Sequence, residues 1–370
     1  MESSRHPYRM MGAIALLASA LAASSSDATQ GIWISREEIQ ALPMSGAAWN
    51  RLESQADQPA GAPNVSDQNQ MNNVYVLAKA LVHVRTGVES YRTEVRQNCV
   101  AAINTELGGR TLALGRELAA YVIAADLVGL EPAEDLIFRE WLRRTLTEVL
   151  DGNTLQSTHE DRPNNWGTMA GASRAAVAAY LGDDSELART AQVFKGWLGD
   201  RSSYAGFSYG DLSWQADPAR PVGINPLGAV KDGESIDGAL PDDMRRGCSF
   251  QFPPCATGYP WEALQGATVQ AEILRCGGYD AWNWQDQALE RAVQFLHDLD
   301  QRFGGWWAGG DDEWNVWLVN AANGSQFPTE SPAGAGKIMA WTDWTHAASN
   351  PFPPLDQIPP AAITSLAFGP

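Results

Sequence analysis

What most constrains this chain is a succession of segments with helical periodicity, most of them ended by glycine and joined to the next by a few residues. Apolar positions recur at i, i+3, i+4 and i+7, as in Leu112, Leu118, Tyr121, Val122 and Ala125, the spacing that lays an apolar stripe along a helix. It predicts helices over Ser45–Asp57, Gln70–Arg85, Ser90–Leu107, Thr111–Val128 and Pro132–Leu150, with Gly87, Gly108-Gly109, Gly129 and Gly152 as stops. Ser35-Arg36-Glu37-Glu38 has the form of a capping box ahead of them. The rhythm resumes over Trp166–Leu181, Ser185–Leu198, Tyr259–Arg275, Ala281–Phe303, Glu313–Asn320 and Ala333–Ala348. No alternating run long enough for a central strand interrupts it. Amphipathic helices on short links must pack antiparallel to their neighbours, so the chain is expected to be all-α. Helix pairs at about forty residues without a clear sequence repeat fit an α-solenoid or an α/α toroid.

No linker divides residues 33–348, which predicts one domain. Within it, Gly199 to Gly258 lacks helical period and carries Tyr204, Tyr209 and Trp214. A long loop in a compact domain is commonly functional, so this one is expected to be ordered over a cleft. Residues 349–370 form a Pro-rich tail that cannot be helical. At the other end, Arg5 and Arg9 precede an apolar stretch from Met10 to Ala23, and Ala20-Leu21-Ala22 has the small-x-small form of a processing site. Residues 1–22 therefore read as a signal peptide, with a periplasmic or secreted destination and no membrane anchor. The stretch falls short of the roughly 20 apolar residues that span a bilayer.

Lys and Arg number 26 against 44 Asp and Glu, a formal charge of −18, which disfavours a nucleic-acid partner. Fifteen tryptophans, more than either Phe or Tyr, point instead to stacking on rings, with sugars the natural candidate. Nine of them lie between Trp261 and Trp344, and at least half of those are expected to be core. Cys248 and Cys255 stand close enough to close a small ring in an oxidising compartment. No zinc spacing occurs among the cysteines and the five scattered histidines, so neither metal nor cofactor is expected, and the chain is taken as a monomer.

Two constellations stand out. His159 to Gly167 holds Arg162, Asn164, Asn165 and Trp166 ahead of a helix rich in small residues. One Asn there can cap the helix; a second is free to hydrogen-bond a carboxylate. Asp237-Gly238-Ala239-Leu240-Pro241 runs on through Arg245-Arg246-Gly247 to Tyr259-Pro260-Trp261-Glu262-Ala263-Leu264. Taken alone, paired arginines are ordinarily a solvated surface feature, and a Tyr at a helix start a packing residue.

Together, Asn164-Asn165-Trp166 with Ala170-Gly171, and Asp237-Gly238, Leu240-Pro241, Arg246-Gly247 and Tyr259 with Ala263-Leu264, resemble the two signature segments of the alginate lyases of polysaccharide lyase family 5. Family 38, which includes glucuronan and alginate lyases, is a related lineage and the alternative placement of the chain. The resemblance implies an α/α toroid, or incomplete α/α barrel, and a lyase acting on a β-1,4-linked polyuronate. It implies that Asn165 holds the substrate carboxylate with Asn164 in support, and that Tyr259, beside Arg246, abstracts the C5 proton. The family's catalytic His follows the second Asn, where this chain has Trp166. His159 is then the candidate to replace it, and Cys248–Cys255 fills a wider spacing before Tyr259.

In β-mannuronate and β-glucuronate, H5 and O4 share one ring face, so Tyr259 alone can take the proton and return it to the leaving oxygen in a syn elimination. Arg245, Arg162, Trp166, Trp214, Tyr204 and Tyr209 are the expected substrate contacts on an acidic polysaccharide. An α/α glycoside hydrolase built on two of Asp211, Asp242, Asp243, Glu262 and Asp343 is the rival enzyme, and a non-catalytic sugar-binding toroid the rival non-enzyme. For a polyanion to bind a chain of charge −18, the acidic residues are expected to lie mostly away from the cleft.

Overall fold

The computed structural model describes residues 31–330 and 336–347; the signal segment and the tail expected at the termini lie outside the described residues. The helices follow as α1 (Arg36–Ala41), α2 (Ala47–Ala56), α3 (Asn72–Thr86), α4 (Glu89–Ala102), α5 (Thr111–Val128), α6 (Pro132–Thr147), α7 (Leu155–Asp161), α8 (Asn165–Leu181) and α9 (Asp184–Leu198). After the long connection come α10 (Pro241–Met244), α11 (Tyr259–Cys276), α12 (Trp284–Phe303), α13 (Trp314–Asn323) and α14 (Thr342–Thr345). The only sheet among the described residues is a hairpin of two-residue strands, Val230–Lys231 and Glu234–Ser235.

Burial sorts these helices into two rings. In α5 every residue but Asp126 is buried, and α3, α8 and α11 are buried on nearly all sides, as helices apolar or small all round must be. α2, α4, α6, α9 and α12 bury a single stripe. The deeply buried helices are neighbours in the order α3, α5, α8, α11, α13, with the amphipathic ones between them in sequence forming an outer layer.

Alternation on short links leaves the inner helices parallel, and side-chain contacts fix their register. Ser173 of α8 donates to the Gly115 carbonyl (2.8 Å) and accepts from the Ala119 N–H (3.1 Å) of α5. Gly266 of α11 faces the Thr168–Met169 backbone of α8 so closely that a Cβ there would collide with it. Thr268 of α11 donates to Asn315 of α13 at 2.7 Å. Trp341 Nε1 donates to the Val74 carbonyl (2.9 Å), Thr342 to the Trp314 carbonyl (2.7 Å) and Asn73 to the Lys337 carbonyl (3.1 Å), which joins α13 back to α3. The fold is the expected all-α toroid of antiparallel pairs. Its consequence for function is that five inner-helix N-termini open on one end.

Most periodic segments end where the glycines stop them; α3 closes on Gly87, whose φ of 75° an L side chain disfavours. Two expectations need correction. The helix expected over Ala333–Ala348 is, among the described residues, only the single turn α14, its register broken by the ring-closing contacts of Trp341 and Thr342. The segment around His159, where no helix is expected, is α7, started by a Thr154–Ser157 capping box. No described helix is long and apolar enough to cross a membrane.

Candidate active site

The two sequence constellations meet at the open end of the inner ring. Asn164 caps α8: its Oδ1 accepts from the Trp166 N–H (3.2 Å), and its Nδ2 donates to Asp242 of α10 (3.1 Å). The Asn165 N–H donates to Asp243 at 3.2 Å. α10 thus presents two carboxylates to the start of α8, where the free N–H groups carry partial positive charge. The Asp243 carboxyl is held well above the usual range by burial and then by the Asp242 charge, and its second oxygen has no partner.

Asn165 is the pivot. Its Oδ1 accepts from Arg246 (3.1 Å), and its Nδ2 donates to Glu262 (2.7 Å). These two partners fix which end of the amide is which, and one amide N–H remains for a ligand. The Arg246 guanidinium lies 3.3 Å from the centroid of the Tyr259 ring, stacked on its face. Glu262 is 3.1 Å from Arg116 of α5, which is almost wholly buried while Glu262 keeps 31% of its side chain exposed. Arg116, Glu262, Asn165, Arg246 and Tyr259 therefore form one chain of contacts across α5, α11, α8 and the turn after α10.

Other expected contacts fall elsewhere. His159 is buried, with Nδ1 3.3 Å from Arg174 and Nε2 3.2 Å from Gln270, against Gly171. Gly171 is six residues beyond Asn165, roughly 9 Å along α8, so the imidazole does not join the cluster. Burial, then the Arg174 and Arg189 charges, push its pKa well below the ordinary histidine value. Trp214 is fully buried; it donates to the Cys248 carbonyl (2.9 Å) and packs on Phe250 and Phe252. It supports the Cys248–Cys255 disulfide loop from beneath and is not a sugar platform. Tyr204 donates to the Glu160 carbonyl (2.8 Å) and lies under Arg189. Arg245 forks onto Asp242 through Nε (2.7 Å) and Nη2 (3.1 Å), leaving Arg246 to face Asn165. Tyr209 packs edge-on to Phe207 beside Gly210, whose N–H donates to Asp242. Of the nine tryptophans from Trp261 onward, six are buried; Trp284, Trp307 and Trp317 are half-exposed.

The rim also holds groups that sequence reasoning missed. Asp312, just before α13, accepts from Gln265 of α11 (2.7 Å), and burial followed by the Asp311 charge pushes its carboxyl up to about 7. Asp311 pairs with Lys337 at 2.7 Å. Arg116 and Asp312 carry no motif; their only sequence signal is their place near the start of inner helices. Contrary to expectation, the acidic residues are not kept away from the rim: Asp242, Glu262 and Asp311 are paired there, and burial raises the carboxyls of Asp243 and Asp312.

The carboxylates proposed for hydrolysis are each engaged or buried. Glu262 pairs with Arg116 and accepts from Asn165, Asp343 pairs with Arg51, Asp211 accepts from Ser213 and Ser249, Asp242 is held by Arg245, and Asp243 is buried. Among the described residues no three His, Cys, Asp or Glu side chains gather as metal ligands would.

Comparison with known proteins adds one finding. Residues 103–202 match the family model described as alginate lyase, which supports assigning the chain to the alginate lyase superfamily. The matched span covers α5 to α9, including Arg116 and Asn165, and ends before Arg246 and Tyr259. No match was found among curated proteins.

Proposed function

We propose, from that superfamily assignment, that this polysaccharide lyase cleaves a β-1,4-linked polyuronate, glucuronan or polymannuronate, by syn β-elimination centred on Tyr259, in the periplasm or outside the cell. The observation that carries the reading is the placement of Arg246 between the Asn165 amide and the Tyr259 ring. Elimination requires the uronate carboxylate to be neutralised while charge builds toward C5. The remaining Asn165 N–H and the guanidinium are donors that do not themselves take the proton. Tyr259, as phenolate, removes the C5 proton; the C–H electron pair becomes the C4=C5 double bond as the C4–O4 bond breaks. The same phenol returns the proton to O4, so no imidazole is needed, in keeping with Trp166 at the family's His position and His159 buried elsewhere.

The experiment is to incubate the chain with glucuronan, polymannuronate, polyguluronate and pectate while following the ultraviolet absorbance of the unsaturated product. Absorbance is expected with the first two. New reducing ends without absorbance would establish hydrolysis and overturn the reading. Tyr259→Phe is expected to abolish turnover, and Arg246→Ala to lower kcat by about a hundredfold or more, the scale of losing one transition-state donor. Arg245→Ala, which only frees Asp242, should cost far less; equal losses for the two arginines would remove Arg246 from its assigned place.

A further inference from the structure

We propose that Arg110, Trp166 and Arg162 form a separate subsite that reads the carboxylate of a second uronate residue, next to the one being cleaved; this rests on the polyuronate reading above. The Arg162 guanidinium lies 4.9 Å from the Trp166 ring centroid and that of Arg110 5.6 Å. Trp166 is half-exposed and follows Asn165 directly. Arg110 is exposed, Arg162 half-buried, and among the described residues neither has an ion pair. In a chain of charge −18 carboxylates are plentiful, and most arginines around the rim and the inner ring have one: Arg116, Arg174, Arg245 and Arg275 are all paired. Two cations held over one indole without a counter-charge are a site whose counter-charge arrives with the ligand.

The chemistry selects that ligand. With both guanidinium groups over the indole, what the subsite offers is their forks, each of which receives a carboxylate through two parallel hydrogen bonds. A neutral glucan has no carboxylate to give them. Gln68 links this subsite to the catalytic chain: its side chain accepts from Arg110 at 2.9 Å and its carbonyl lies 3.4 Å from Arg116. Arg110 also lines a groove of about 720 Å³, large enough for further sugar residues. Asp67 and Asp151 are the other ionisable groups on that groove, so the electrostatic gain from lengthening an acidic chain ends once Arg110 is satisfied.

The test is calorimetric titration of the full chain, in a Tyr259→Phe background, with hexaglucuronate, hexamannuronate and neutral cellohexaose, at several salt concentrations. Arg110→Gln and Arg162→Gln are each expected to raise Kd for the acidic hexamers about fivefold, the upper range for exposed charge pairs, and the double variant to show a shallower salt dependence. Arg110→Glu should weaken binding further, with circular dichroism unchanged. A double variant that binds hexauronates with parental Kd and salt dependence overturns the subsite, even when the unsubstituted enzyme yields the ultraviolet-absorbing product. Equal parental affinity for cellohexaose overturns it as well. Arginine-dependent binding by a chain that forms no such product overturns the lyase reading and leaves the subsite standing.

Discussion

At the scale of single residues, the rim is governed by what each polar group is paired with. Asn164 and Asn165 are the same residue type one position apart, yet the Asn164 side chain caps α8 and holds Asp242, while that of Asn165 joins Arg246 to Glu262. The sequence narrowed the choice to these two and to Arg245 or Arg246, because motifs mark segments. It left the partition within each segment open, because hydrogen-bond partners such as Glu262 and Asp242 lie about 80 to 100 residues away. Asp312 gives a residue-scale prediction. Its folded carboxyl is pushed up to about 7, whereas the unfolded chain ionises it near the ordinary value of about 4. Between those values the folded state binds the extra proton, so this group's contribution to stability falls as pH rises through that window and is lowest above it. Asp312→Asn, neutral at every pH and able to keep the Gln265 contact, should therefore raise Tm little at pH 4 and distinctly at pH 8. Equal shifts at both values would mean that Asp312 is not held protonated.

At the scale of elements, legibility followed the origin of each helix. Those made by periodicity and a terminal signal, such as α5 and α8, stand within a residue of where the sequence puts them, because their burial pattern and their caps agree. The elements shaped by tertiary contact were not legible: α10, inside the segment without helical period, brings Asp242 and Asp243 under α8, and the helix expected over Ala333–Ala348 is, among the described residues, one turn, where the Trp341 segment is held by Val74 and Trp314 from distant helices. The small residues of α8 and α11 serve close approach. At Gly266 an added methyl would meet the Thr168 and Met169 backbone, which has no rotamer to yield. Gly266→Ala should then destabilise the fold by roughly 1–3 kcal/mol or more, as overpacking does, despite the better helix propensity of Ala. Chemical denaturation measures this, and a stabilised variant would show that the α8–α11 seam is looser than described. Because Asn165 and Glu262 sit at the ends of the same two helices, the variant should lose kcat along with stability.

At the scale of the molecule, the proposed function requires a chain of charge −18 to receive a polyanion. At the rim the acids are locally silenced: Asp242, Glu262 and Asp311 are paired with Arg245, Arg116 and Lys337, while burial keeps the Asp243 and Asp312 carboxyls raised toward neutrality. Arg246, Arg162 and Arg110 remain, together with the positive ends of the inner helices, whose dipoles favour anions at short range. Beyond that range the whole molecule repels the polymer. The two ranges respond differently to salt, since the Debye length shrinks from about 30 Å at 0.01 M to about 10 Å at 0.1 M. Over that interval the distant repulsion is screened first, while contacts of a few ångströms persist. The value of kcat/KM on a long polyuronate should rise from 0.01 M toward roughly 0.1 M, and fall only at higher salt as the guanidinium contacts themselves weaken. Short oligouronates, carrying less charge into the far field, should show the fall without the rise. A monotonic decrease for the long polymer from the lowest salt onward would mean that a positive field already reaches well beyond the rim, and that the surplus carboxylates are turned to the opposite side of the toroid.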